Sequence, residues 1–157
     1  PGAVQQHVIF HLGETLFGVE IHQMLRIVRL APVTRVPHAP PFLEGVINDR
    51  GQVVPVVDLH KRLGLPVPGY DDRARILIAE LGAQPVGMLV DAVAGIWRLP
   101  GESIQPPPEK VAQVDSVYLT GVAHYRNRVI VLLDLGRVLT VQEIDELDAW
   151  QARGSQP

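Results

Sequence analysis

The sequence predicts an all-β fold: two small barrels packed about a pseudo-twofold, with a short C-terminal helix. Two observations carry this. Many short runs rich in Val, Ile and Leu are separated by turns containing Gly and Pro, which is the pattern of barrels and not of helical layers. One unit also occurs twice. Gly45 to Leu59 aligns position by position with Gly121 to Leu135: Gly45 falls on Gly121, Arg50 on Arg126 and Asp58 on Asp134, all 76 positions apart. Upstream, Gly18-Val19-Glu20-Ile21 matches Gly87-Met88-Leu89-Val90, Ile27 to Leu30 matches Ile96 to Leu99, and Pro37 matches Pro106, all 69 positions apart. The second copy therefore carries a seven-residue insertion (76 less 69) between Pro106 and Gly121. A chain built twice from one β-rich unit gives two like subdomains. They are expected over 8–65 and 74–139, within one domain spanning 1–157, with the helix over 140–151.

In chain order, residues 1–6 read as a loose terminus. Val8 to Leu12 is a strand, Gly13-Glu14-Thr15 a turn, and Leu16 to Glu20 its partner. Ile21, Met24 and Leu25 share helical spacing and predict one helical turn. Arg26 to Leu30 alternates charged and apolar residues, as a half-buried strand does, and Val33 to Pro37 is extended. His38-Ala39-Pro40-Pro41 is a stiff loop because proline fixes φ. The repeated unit then begins. Asn48-Asp49-Arg50-Gly51 reads as a four-residue loop, with Asn48 opening a type I turn and Gly51 at positive φ. Asp49 and Arg50 are expected at the hairpin tip. In the second copy Asn127 replaces Gly51, and Asn is the other residue that tolerates a left-handed backbone.

Val53 to Val57 is apolar on both faces and so predicts a buried strand, with Pro55 placing it at an edge or a bulge. Asp58 caps one helical turn, Leu59 to Leu63, which Gly64 closes. Pro66 to Asp72 is the internal boundary. Arg75 to Leu81, Val86 to Val90 and Gly95 to Leu99 are strands. Asp91-Ala92-Val93 stands where the first copy has its short helical turn, and the insertion is an exposed loop. Thr140 and Glu143 form a capping box, and Ile144, Leu147 and Trp150 share the face that docks on the barrels.

Composition narrows the function classes. The 157 residues fit a single compact domain. A net charge of −3 argues against a broad nucleic-acid footprint. The absence of cysteine removes disulfides, thiolate metal sites and a Cys nucleophile. No apolar run approaches the ~20 residues that a membrane helix needs, so no direct membrane insertion is expected. The six His residues show no ligand spacing, and no phosphate-loop or nucleophile-elbow motif occurs. Asp58 and Asp134 sit at equivalent strand ends, which suits capping. Asp91 reads as a buried acid with no base or nucleophile marked beside it. The expectation is therefore no catalytic residue, no metal and no cofactor. What remains is a surface for partners. A polar hairpin tip is expected on solvation grounds alone; as a functional group, Arg50 is a rigidly displayed guanidinium able to fork onto a carboxylate or carbonyl.

Over Val8 to Leu139 the chain resembles the CheW family of bacterial chemotaxis coupling proteins. The most specific stretch is Gly45 to Leu59, close to the family pattern G-V-I-N-L-R-G-x-V-V-P-V-I-D-L. Val36-Pro37, Val90-Asp91-Ala92-Val93 and the Gly121 to Leu135 block match as well. The resemblance implies two five-stranded SH3-like barrels and a cytoplasmic, non-catalytic adaptor. Its partners would be the cytoplasmic tip of a chemoreceptor and the regulatory domain of the histidine kinase CheA. Asn48 and Arg50 fall on the Asn-x-Arg-Gly positions implicated in receptor coupling, and Val36 and Pro37 lie near that groove by analogy. The implied partner-binding set is Val36, Pro37, Ile47, Asn48, Asp49 and Arg50. Two residues depart from the pattern: Asp49 replaces the usual Leu, and Arg26 stands where the family often has an acid. Two other readings stay open: a CheW-like regulatory domain of a larger chemosensory protein, and a small ligand-binding or hydrolytic double barrel.

Overall fold

A computed structural model describes residues 3–67 and 69–154, with 152–154 described as backbone. Pro1-Gly2, Pro68 and the end of the polar tail, 155–157, lie outside the described residues. The first copy forms β1 (Val4–Leu12), β2 (Thr15–Glu20), β3 (Met24–Arg29), β4 (Gly45–Asp49), β5 (Gln52–Asp58) and α1 (Leu59–Leu63). The second forms β6 (Arg75–Leu81), β7 (Gln84–Val90), β8 (Ala92–Pro100), β9 (Ile104–Gln105), β10 (Lys110–Val111), β11 (Val114–Asp115), β12 (Leu119–Tyr125) and β13 (Arg128–Leu133). α2 (Val141–Gly154) follows.

The strands curl into a six-stranded sheet, β8-β1-β2-β13-β12-β9, and a five-stranded sheet, β3-β6-β7-β5-β4. Both take the barrel form expected. The assignment of strands to barrels, however, is not by halves of the sequence. The β1–β2 hairpin of the first copy completes the barrel of the second, and the β6–β7 hairpin of the second completes that of the first. The expected split into 8–65 and 74–139 is therefore corrected to an exchange of hairpins. The connections account for it. One residue, Asp91, separates β7 from β8, and reversing a chain between paired strands takes a two-residue loop or longer. β8 must therefore leave its predecessor's sheet. The exchange keeps the symmetry of the repeat. Leu132 lies opposite Gly18 in one parallel pair and Val56 opposite Gly87 in the other, and these are matching positions of the two copies. Gly is needed at both. A Cβ on Gly87 would lie 2.7 Å from Ile76 Cγ2, and one on Gly18 would lie 3.0 Å from Leu132 Cδ2.

Apolar residues on both faces of a strand now have two destinations. On β1, Ile9 fills the six-stranded barrel while Val8 and Phe10 face a core shared between the barrels. On β6, Ile76 and Ile78 fill the five-stranded barrel while Leu77 and Ala79 face the shared core. Pro55 is not on an edge strand, since β5 lies between β7 and β4. Val46 spends its N–H and C=O on Thr34 (2.8 and 2.9 Å), so its partner Pro55 is at a non-hydrogen-bonded pair. The ladder to β7 starts one residue later, at Val56. No ladder bond is lost.

Local expectations hold with small shifts. Asp58 Oδ1 accepts from His60 N at 2.8 Å, and Gly64 closes α1 in the left-handed conformation. Thr140 and Glu143 cap α2 reciprocally at 2.9 and 3.0 Å. Leu147 on α2 is fully buried, and the Arg62 guanidinium forks onto Glu143 at 2.7 and 2.6 Å. The helical turn expected at 21–25 is a 3-10 turn over Ile21–Gln23. The loose terminus is shorter than expected, because Val4, Gln5 and Gln6 pair with Pro100, Leu99 and Arg98. The insertion carries the small β10–β11 hairpin.

Candidate partner-binding site

The β4–β5 hairpin turns on two residues, not four. Asp49 pairs with Gln52, which leaves Arg50 (φ 56°) and Gly51 (φ 83°) as the loop. Positive φ at both central positions is the signature of a type I′ turn, whose twist matches the strands it joins. Asn48 Oδ1 accepts from Gly51 N at 2.8 Å and fastens the turn. Arg50 is exposed at the apex and makes no ion pair among the described residues. A charged side chain is thus carried on a stiff, fully paired ribbon.

The six candidate residues do not gather into one patch. Asn48 and Arg50 occupy the tip. Ile47 is 3% exposed and lies in the core of the five-stranded barrel, so it is not contact surface. Asp49 is not at the tip either; it is 8% exposed and points inward. Its Oδ2 accepts from Arg26 Nε at 2.8 Å and lies 2.5 Å from Arg26 Nη2. The two departures from the family pattern are therefore one interaction. It joins β3 to β4, the two edges of the sheet, and closes the seam of the barrel. Val36 and Pro37 stand near the opposite end of β4, because Thr34 bridges to Val46. Val36 there lines a shallow cleft of about 240 Å³ with Arg35, Glu44 and Lys61, and Pro37 is exposed.

The matching hairpin β12–β13 has the same turn, with Arg126 (φ 50°) and Asn127 (φ 61°). Its arginine is not free. The Arg126 guanidinium lies over the Tyr125 ring, 5.2 Å from its centroid, a cation–π arrangement. Tyr125 occupies the position of Asp49, and its ring is 6.4 Å from that of Trp97 on β8.

A buried polar cluster escaped the sequence reading. His60, 1% exposed, places Nδ1 3.2 Å from Asp58 Oδ1 and 3.1 Å from the Tyr70 hydroxyl, and Nε2 3.1 Å from Asp91 Oδ2. Asp91 thus has a base beside it after all. Tyr70 donates to Asp58 Oδ2 at 2.7 Å, and Gly13 N donates to Asp91 Oδ2 at 2.6 Å. Burial first, then the bond to Asp58, pushes the Tyr70 phenol far above its ordinary value of 10. Two carboxylates and a phenol surround His60, and no Ser or Thr hydroxyl bonds to it among the described residues. The cluster ties α1, the segment after it, the β7–β8 corner and the β1–β2 turn together, and so fastens one barrel to the other. Only Asp58, two residues before His60, hinted at it; Tyr70 lies beyond the end of α1 and Asp91 comes from a distant part of the chain.

Comparison with known proteins agrees with this architecture. The family model described as the CheW-like domain matches residues 6–143. A chemotaxis protein CheW from Klebsiella aerogenes is 32% identical over 144 residues, covering 92% of this chain and 87% of the relative. The chemotaxis protein CheW of Rhizobium meliloti is 35% identical over 136 residues, covering 87% and 88%. Among solved structures, the scaffolding protein TtCheW from Thermoanaerobacter tengcongensis superposes with a TM-score of 0.80 at 34% identity, covering 89% of this chain and 95% of that one.

Proposed function

Because the chain belongs to the CheW-like domain family, we propose that it is a non-catalytic adaptor that couples the cytoplasmic tips of chemoreceptors to the histidine kinase CheA. The relatives' own names supply the pathway: they are chemotaxis proteins, and the structural neighbour is a scaffolding protein. No helix among the described residues is long and apolar enough to cross a membrane. As a cytoplasmic adaptor it would meet the receptor at the receptor's cytoplasmic end.

The observation that carries the reading is the difference between the two hairpin tips. Both present an arginine on the same turn, yet Arg126 is folded over Tyr125 while Arg50 makes no ion pair among the described residues. Asp49, the acid beside Arg50, is already taken by Arg26, so Arg50 remains free to fork onto a receptor carboxylate or carbonyl. Exposed apolar residues lie on the same hairpin and across the seam: Val53 on β5, paired with Asn48, and Leu25 and Ile27 on β3, flanking the Arg26 that reaches Asp49. A receptor helix laid against them would find an apolar contact with Arg50 fixing its register. In this reading Asn48 holds the turn, while Val36 and Pro37 flank the contact from the far end of β4. The kinase regulatory domain would pack sheet to sheet on a barrel end.

Co-assembly with receptor tip and kinase tests this. Arg50→Ala should leave the folding free energy within about 0.5 kcal/mol, as surface substitutions do. It should weaken receptor capture about tenfold or more, the loss of one good charged contact. Arg126→Ala should leave capture unchanged. Equal receptor capture by Arg50→Ala and the parent chain would remove Arg50 from the interface.

A further inference from the structure

We propose that the open seam of the six-stranded barrel is a second docking site, for an acidic protein segment carrying an apolar anchor residue. It is a separate surface from the Arg50 tip and does not rest on the reading above. A cleft of about 460 Å³ lies there between β8 and the β12–β13 hairpin, lined by Ile96, Trp97, Arg98, Tyr125, Arg126 and Arg128. Half of these residues are arginines and none is an acid. The seam stays open because β9 pairs only with Val122 and Ala123, which leaves His124 and Tyr125 with no strand on that edge.

The floor and the rim differ in chemistry. Trp97 and Tyr125, with rings 6.4 Å apart and tilted 48°, form an aromatic floor. Ile96 is 52% exposed beside it, and Val129, next to Arg128, is 50% exposed. Exposed branched aliphatics next to aromatics mark contact surface. The arginines can each fork onto a carboxylate, and Arg126 is already held in place by the Tyr125 ring, so little freedom is lost when a partner binds.

The sign and extent of charge choose the occupant. The whole chain carries −3, so a long polyanion such as nucleic acid or an anionic membrane meets net repulsion. The positive patch acts over only about one Debye length, ~8 Å at physiological salt. A short segment with a few carboxylates fits within that reach, and its aliphatic or aromatic side chain would meet the floor.

The full chain, panned against a random peptide library, tests the proposal beside two triple variants at positions 98, 126 and 128, one with Arg→Glu and one with Arg→Lys. The parent should enrich peptides whose Asp and Glu surround an apolar residue. The Glu variant should lose them, and the Lys variant should keep the acidic preference with weaker binding, because charge survives and the fork does not. The consensus peptide should shift amide resonances at Ile96 to Arg98 and Tyr125 to Val129 and should bind about tenfold more weakly when salt rises severalfold. A non-acidic consensus, the same peptides on the Glu variant, or shifts clustered elsewhere overturn the site. Tighter binding of a DNA duplex or of phosphatidylserine vesicles overturns the choice of occupant, as does self-association of the parent that the Glu variant lacks. Arg50→Ala should bind the peptide normally, so the two proposals fail separately.

Discussion

Across the seam of the five-stranded barrel, β3 and β4 meet through Arg26 and Asp49. Across the seam of the six-stranded barrel, β8 and β12 meet through Trp97 and Tyr125. The hairpin positions of the two copies match, and the chemistry at the closure is opposite. Where Asp49 stands in one copy, Tyr125 stands in the other; where Arg26 stands in one, Gly95 stands in the other. The ionic closure satisfies itself and leaves its hairpin arginine without an ion pair among the described residues. The aromatic closure takes up its hairpin arginine and leaves a cleft. One architecture thus presents two different surfaces, and the difference arises from a few side chains at the edges, where the fold places no demand beyond filling the gap.

The largest way to break the comparison is through the glycines at matching positions of the first strands of the paired hairpins. A Cβ on Gly45, at φ 153°, would lie 2.3 Å from the Thr34 carbonyl oxygen, whereas one on Gly121 would lie 2.8 Å from that of Gln105 without the unusual φ. Gly45→Ala should cost about 3–5 kcal/mol, adding backbone strain to overpacking. Gly121→Ala should cost about 1–3 kcal/mol. Urea denaturation of the two variants reads the difference, and equal midpoints would deny the asymmetry.

Next in size is the ionic seam. Arg26→Leu strands the Asp49 carboxylate and should cost about 2–3 kcal/mol, below the full value for a buried pair because Arg26 is 28% exposed. Adding Asp49→Leu should recover most of the loss, since an apolar closure already serves the sister barrel. Failure of the double variant to recover would mean that the ion pair sets the geometry of the seam as well as filling it.

Acid sensitivity separates the barrels further. His7 on β1 is buried, and burial lowers its pKa below 6.5 against smaller opposing effects of the Gln5 carbonyl and Glu20. A depressed histidine favours the neutral form in the folded state. Its contribution is full above pH 6.5 and is lost as pH falls through the folded value, by up to about 1.4 kcal/mol per pH unit of that window. The matching residue in the other barrel is Ile76, which cannot titrate. Unfolding midpoints of His7→Ile measured through this range should be flatter than those of the parent. At the alkaline end the sign reverses for Tyr70. Its raised pKa keeps the folded phenol neutral, so stability is full below 10 and falls as pH rises past it. Tyr70→Phe should remove that fall. The smallest effect belongs to the tips: Arg126→Ala loses a cation–π contact of about 0.5–1 kcal/mol, and Arg50→Ala loses none.

Legibility of the fold and of the site differed, and for physical reasons. The caps at Asp58 and Thr140, the left-handed Gly64 and the strand spans follow from interactions within a few residues, and each was readable. The repeat and its shared turn geometry were readable too, because Gly51 and Asn127 answer the same steric demand. The same local reasoning overstates the turn length: Asn48 does bond to Gly51, but strand pairing carries on through Asp49 and Gln52. The site was the least legible part. Arg26 and Asp49 stood out singly as departures, yet 23 residues of chain separate them, and nothing local announces that two sheet edges will meet. His60 looked like one histidine among six until Asp58, Tyr70 and Asp91 closed around it.

By itself the sequence determined that the chain is β-rich, duplicated and tightly turned, since alternation, turn chemistry and caps are short-range demands that each copy meets alone. Which hairpin completes which barrel, which arginine is left free and which histidine is surrounded were decided only in three dimensions. The copies carry nearly equivalent strands, so local preference cannot choose between them; the one-residue corner at Asp91 and the filling of the shared core make the choice.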